Sequence, residues 1–97
     1  MKMAAQSQDI LRLTLHREFF AQIAAGTKRV EYREQKPYWK ARLENGTYGT
    51  ILFRNGYAAN APEMLVEFRG LRRYGQGRDA YYAILLGRVL RVKRWKA

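Results

Sequence analysis

The sequence predicts a small α+β domain: a closed or nearly closed β-barrel of five or six short strands, with two short helices in its N-terminal half. Apolar and polar residues alternate with a period of two in several short runs, the mark of half-buried strands. Helical spacing of apolar residues appears only ahead of Gly26 and again between Pro37 and Leu43. Ninety-seven residues, 47% of them hydrophobic, suffice for one modest core and argue against disorder.

In order along the chain, residues 1–9 are expected to form a flexible lead-in and residues 10–97 a single domain. Leu11, Leu13 and Leu15 alternate with Arg12 and Thr14, giving a first strand. In the segment from His16 to Ala25, residues Phe19, Phe20, Ile23 and Ala24 recur at helical spacing, and Gly26 ends that helix. Val30 and Tyr32 then alternate with Glu31 and Arg33, so a second strand carries Glu31 and Arg33 on one face. Pro37 fits the first turn of a short second helix or ordered loop, with Trp39 and Leu43 four apart. Asn45-Gly46 signals a turn, Tyr48 to Arg54 the next strand, and Asn55-Gly56 its stop. After a small-residue loop, Met64, Val66 and Phe68 mark another strand, and Arg72 to Arg78 reads as a basic, Gly-punctuated loop. Tyr81 to Leu86 and Val89 to Trp95 read as two final strands. Such a set of short strands closes most readily into a barrel.

Charge points to the class of partner. Nineteen Lys and Arg against eight Asp and Glu leave a net charge of +11, a field that attracts polyanions. With seven Tyr and two Trp available for stacking, RNA or a nucleotide is the expected partner. No long basic amphipathic helix suits a membrane surface, and no apolar run approaches the ~20 residues of a span. The start of the chain lacks the apolar segment of a signal peptide, so a cytoplasmic protein is expected, as a monomer.

The absences exclude several chemistries. Without cysteine there is no disulfide, no zinc finger and no thiol nucleophile. His16 is the one histidine and Ser7 the one serine, so there is no histidine pair for acid/base catalysis. Neither a phosphate-binding Walker loop nor Gly-x-Gly-x-x-Gly occurs. No cofactor is required; Mg or Mn at a loose site involving Glu31 is the one metal the carboxylates allow.

The stretch Gly26-Thr27-Lys28-Arg29-Val30-Glu31-Tyr32-Arg33 gathers a lysine, a glutamate and an arginine at one strand start. The bland reading is a solvated strand face with weak surface ion pairs. The functional reading brings Lys28, Glu31 and Arg33 together beside Tyr32. It would bind phosphate on Lys28 and Arg33, or move a proton on Lys28 or Glu31.

This stretch resembles the Gly-x-Lys-x-x-(Glu/Thr)-x-Arg motif of the ASCH domain, a branch of the PUA-like superfamily of small β-barrels. The order of strand Leu11–Leu15, Phe-Phe helix, motif, Phe53-Arg-Asn-Gly-Tyr57 and Tyr82–Gly87 is also similar to compact members. The resemblance covers roughly residues 10–95. It implies a PUA-like barrel and a family with several activities. Some ASCH proteins are ribonucleases, which would make this a hydrolase of single-stranded RNA with Lys28, Glu31 and Arg33 as catalytic residues. The alternative is the 4-acetylcytidine amidohydrolase branch, where a threonine resembling a nucleophile stands at the position of Glu31. A third reading is a non-catalytic RNA-binding or adaptor module.

Around the motif, Tyr38 is expected to lid the pocket and Trp39 to lie in the core. Arg54, Asn55, Gly56 and Tyr57 are expected as a second wall, with backbone N–H groups for an anion and a ring for a base. Arg72 and Arg73, with the later Arg and Lys residues, are read as backbone-tracking charge on RNA.

Overall fold

A computed structural model describes residues 9–96. The lead-in expected over residues 1–9 therefore lies outside the described residues except for Asp9, which instead opens the first strand. Five strands and two helices follow in the order β1 (Asp9–Thr14), α1 (Arg17–Ala24), β2 (Val30–Glu34), α2 (Pro37–Glu44), β3 (Tyr48–Arg54), β4 (Glu63–Tyr74) and β5 (Tyr81–Lys93).

The strands form one mixed sheet in the order β1-β3-β4-β5-β2, in which only the β1–β3 pair is parallel. β1 and β2 share no ladder, so the sheet is a half-barrel with a seam between its two edges. Its curl has a visible source. The β4–β5 ladder shifts register between Leu65 and Gly70, and such bulges increase local twist.

Alternation explains the core. Leu11 and Leu13 of β1, Ile51 and Phe53 of β3, Met64 and Val66 of β4, and Tyr82, Ile84 and Leu86 of β5 are buried on one face of the sheet. Phe20 and Ile23 of α1 and Leu43 of α2 cover them. Trp95 packs on the Phe20 ring, with centroids 4.8 Å apart, and brings the chain end back onto α1. Gly26, at φ 84°, takes the left-handed conformation that stops α1, as expected. Pro37 opens α2, as its position in the sequence implies.

Two further boundaries differ from expectation. Arg72 and Arg73 do not lie in a loop: β4 continues through Tyr74, pairing Arg72 with Ala83 and Arg73 with Tyr82. The two strands expected after Tyr81 are one strand of 13 residues. In both cases cross-strand pairing with a long neighbour overrides glycine punctuation.

The far end of the sheet is tied by a polar cluster. The buried Tyr82 hydroxyl donates to Glu44 Oε2 at 2.5 Å, and Arg73 Nη1 lies 3.5 Å from the same oxygen. Burial first, and then the bond to Glu44, push the Tyr82 phenol up to about 12. Arg73 is therefore held in an intramolecular ion pair.

Candidate functional site

β2 turns the usual pattern over. Its charged side faces inward: Glu31 is 6% exposed while Tyr32 is 53% exposed. A buried carboxylate needs compensation, and two cations supply it. Lys28 Nζ lies 3.4 Å from Glu31 Oε1, and Arg33 Nη1 donates to Glu31 Oε2. The amine, acid and guanidinium thus meet, and the solvated-face reading fails for Glu31.

Arg33 does more than neutralise Glu31. Its Nη2 donates to the carbonyl of Thr14 at 3.2 Å and so bridges the seam between β2 and β1. Nη1 also reaches the Tyr32 carbonyl at 2.9 Å, and the guanidinium lies 5.1 Å from the centroid of the Trp39 ring. Burial, followed by repulsion from Arg42, lowers the Arg33 pKa below its ordinary value. With its donors engaged, Arg33 is a clamp more than a free anion fork.

Lys28 also lines the cleft, with its side chain 17% exposed, the same as that of Arg33. Its ammonium lies 5.4 Å from the centroids of both the Phe19 and the Tyr32 rings. Burial is the chief cause that lowers its pKa below the usual lysine range. Tyr32 opposes that shift and Arg33 adds to it.

These groups line a cleft of about 380 Å³ at the seam, together with Thr14, Leu15, His16 and Phe19. The volume falls within the ~300–1,000 Å³ of ligand clefts. A smaller hollow of about 220 Å³ beyond the end of α1 also has Lys28 in its wall, with Arg29 and Arg88.

His16 and Phe19 line the cleft although they lie outside the set of residues the sequence points to. His16 ends the β1–α1 connection and caps the helix by position, and its ring is 6.3 Å from that of Phe19. The spacing of three residues put both on one side of the helix start. That this side faces β2 is decided by the fold, because the seam is a contact between residues far apart in the chain.

The other expected site residues stand elsewhere. Tyr38 is exposed on α2, edge-on to Trp39, and accepts from Arg42 Nη1 at 3.0 Å; it does not line the cleft. Trp39 is half-buried against the core. Arg54 is not a second wall: it pairs with Glu63 at 3.0 Å and donates to Ala58 O at 2.7 Å. Asn55 supports the cleft indirectly, its Nδ2 donating to Leu15 O at 3.0 Å. Gly56, at φ 104°, makes the turn that leaves Tyr57 86% exposed, and neither lines the cleft. Arg72 is exposed on β4 and Arg73 is tied to Glu44.

Among the described residues, no three His, Asp or Glu side chains stand together as metal ligands, and both Glu31 oxygens already face cations. Nor, among them, is any helix long and apolar enough to cross a membrane. No protein-family model matches this chain, and no curated protein or solved structure matches it significantly.

Proposed function

We propose that this chain is an ASCH-type domain of PUA-like architecture that binds single-stranded RNA, lodging one nucleotide in the cleft at the seam. The observation that carries the reading is the Lys28 ammonium, set between two aromatic rings above a buried carboxylate at the mouth of a cleft. An ammonium in that setting meets a phosphate with little competition from water, and the exposed Tyr32 ring offers a base a face to stack on. The net charge of +11 supplies long-range attraction.

Hydrolysis of the bound strand is the enzymatic form of this reading. Glu31, held between Lys28 and Arg33, fits the role of orienting Lys28 better than that of a proton donor. In this scheme His16 at the cleft takes the proton of a ribose 2′-hydroxyl, whose oxygen attacks phosphorus. The 5′-oxygen then leaves on the opposite side of phosphorus with a proton from water, while Lys28 offsets charge on the phosphoryl oxygens. The amidohydrolase reading draws no support from the cleft, because Glu31 stands where that branch has its threonine.

The test is titration of a labelled uridine oligoribonucleotide by fluorescence anisotropy at low ionic strength. Binding is expected to weaken steeply with salt, by a power law whose exponent counts the phosphates neutralised. Absence of binding at low salt, or binding indifferent to salt, would sink the reading.

A further inference from the structure

We infer that the outer face of the sheet carries a three-tyrosine stacking platform, continuous with the cleft, that takes the bases of single-stranded RNA leading away from it. This rests on the RNA reading of the cleft and extends it to a surface on β2, β5 and β4.

The strand register assembles the platform. Tyr32 and Arg72 flank Ala83 from opposite sides on the ladder, and Tyr74 pairs with Tyr81 two residues along. All five side chains therefore project to the same face, opposite the one where Tyr82 and Ile84 enter the core. Three large rings remain open there: Tyr32 is 53%, Tyr74 43% and Tyr81 38% exposed. Tyr81 stands edge-on to Tyr32 at 5.8 Å and stacks on Tyr74 at 5.5 Å, so the rings form a continuous row. Ala83, between Tyr32 and Arg72, is too small to interrupt it.

The row is fixed from beneath. The Gln35 side chain donates to the Tyr81 carbonyl at 2.9 Å and reaches the Tyr74 carbonyl at 3.5 Å, tying the backbone under two of the rings to the end of β2. A contiguous row of exposed aromatic rings marks an interaction surface. Its occupant follows from Tyr32, which belongs both to the platform and to the cleft that holds Lys28. A strand anchored by its phosphate at Lys28 meets Tyr32 first, then Tyr81 and Tyr74.

Charge on the part of this face beside the rings is balanced. Glu34 shares it with Arg72, and the turn joining β4 to β5 carries both Arg78 and Asp79. Stacking therefore dominates here, whereas phosphate contact dominates in the cleft. Substituting the tyrosines should weaken binding without changing its salt dependence, unlike removing a phosphate contact.

The experiment compares uridine monophosphate with a uridine oligoribonucleotide of about ten nucleotides, a length within the ~4–16 that small single-strand binders cover. Wild-type protein is measured beside Tyr74→Ala/Tyr81→Ala and Tyr74→Phe/Tyr81→Phe. The alanine pair should lose about tenfold or more in oligomer affinity, with the salt slope and the monophosphate affinity unchanged. The phenylalanine pair should bind as wild type. Oligomer affinity unchanged in the alanine pair overturns the platform and leaves the cleft standing. So does a concentration-dependent dimer that the alanine pair abolishes, since the face would then serve a second copy of the chain. Wild-type protein that binds neither ligand overturns the RNA reading itself.

Discussion

Replacing Glu31 by alanine is expected to lower the melting temperature by roughly 12 °C or more, the largest effect of any polar substitution in the site. Removing one partner from a buried ion pair costs about 3–5 kcal/mol, because the remaining charge stays buried without compensation. Here two cations would remain, Lys28 and Arg33, each with a side chain only 17% exposed. That residual exposure places the cost near the lower end, about 3 kcal/mol, a large share of a small domain's ~5–15 kcal/mol. The repulsion has a chemical remedy. Inorganic phosphate, taking the place of the lost carboxylate, should raise the melting temperature of Glu31→Ala more than that of wild type, since a ligand stabilises the state that binds it. A shift within ~2 °C, the scale of a surface pair worth ~0.5 kcal/mol, would mean that the pairing is solvated after all.

Lys28→Ala should do the reverse, sparing the fold and removing function. Glu31 keeps Arg33, and Arg33 keeps its bond to Thr14 across the seam, so the barrel edges stay joined. RNA affinity should fall about tenfold or more, the salt slope should drop by about one, and any cleavage of RNA should disappear. The pH dependence follows from the protonation state. The ammonium is the form that holds an anion, and burial lowers its pKa. Affinity is therefore full at lower pH and lost as pH rises through a value below the usual lysine range. Lys28→Arg should remove that loss, because a guanidinium stays charged throughout. Unchanged affinity and slope in Lys28→Ala would detach the cleft from RNA, and cleavage that persists would point to a contaminating nuclease.

The strand-helix order was legible because local signals agreed: alternating leucines in β1, helical spacing and Gly26 in α1, Pro37 in α2. The same period of two put Glu31 and Arg33 on one face. Which face turned inward was not legible from β2 alone, where Val30 and Tyr32 are the more apolar pair. That choice rests on the seam, where Arg33 finds the Thr14 carbonyl and Glu31 finds two cations. The unbroken length of β4 and β5 was hidden for a related reason. Gly70 and Gly87 punctuate the sequence, yet each sits inside a strand whose neighbour supplies the pairing. Arg54 and Asn55 read as a ligand wall because their chemistry suits anions. In the fold that chemistry is spent on Glu63 and the Leu15 carbonyl. His16 and the Tyr74–Tyr81 row owe their significance to neighbours supplied by other strands, which no local spacing reveals.

The most direct measurement is the structure of the protein with a bound uridine monophosphate. The phosphate should lie within hydrogen-bonding distance of Lys28 Nζ, with the base against Tyr32 or Phe19 inside the seam. A phosphate seated instead between Arg29 and Arg88, with the seam cleft empty and Lys28 still turned only toward Glu31, would contradict the account.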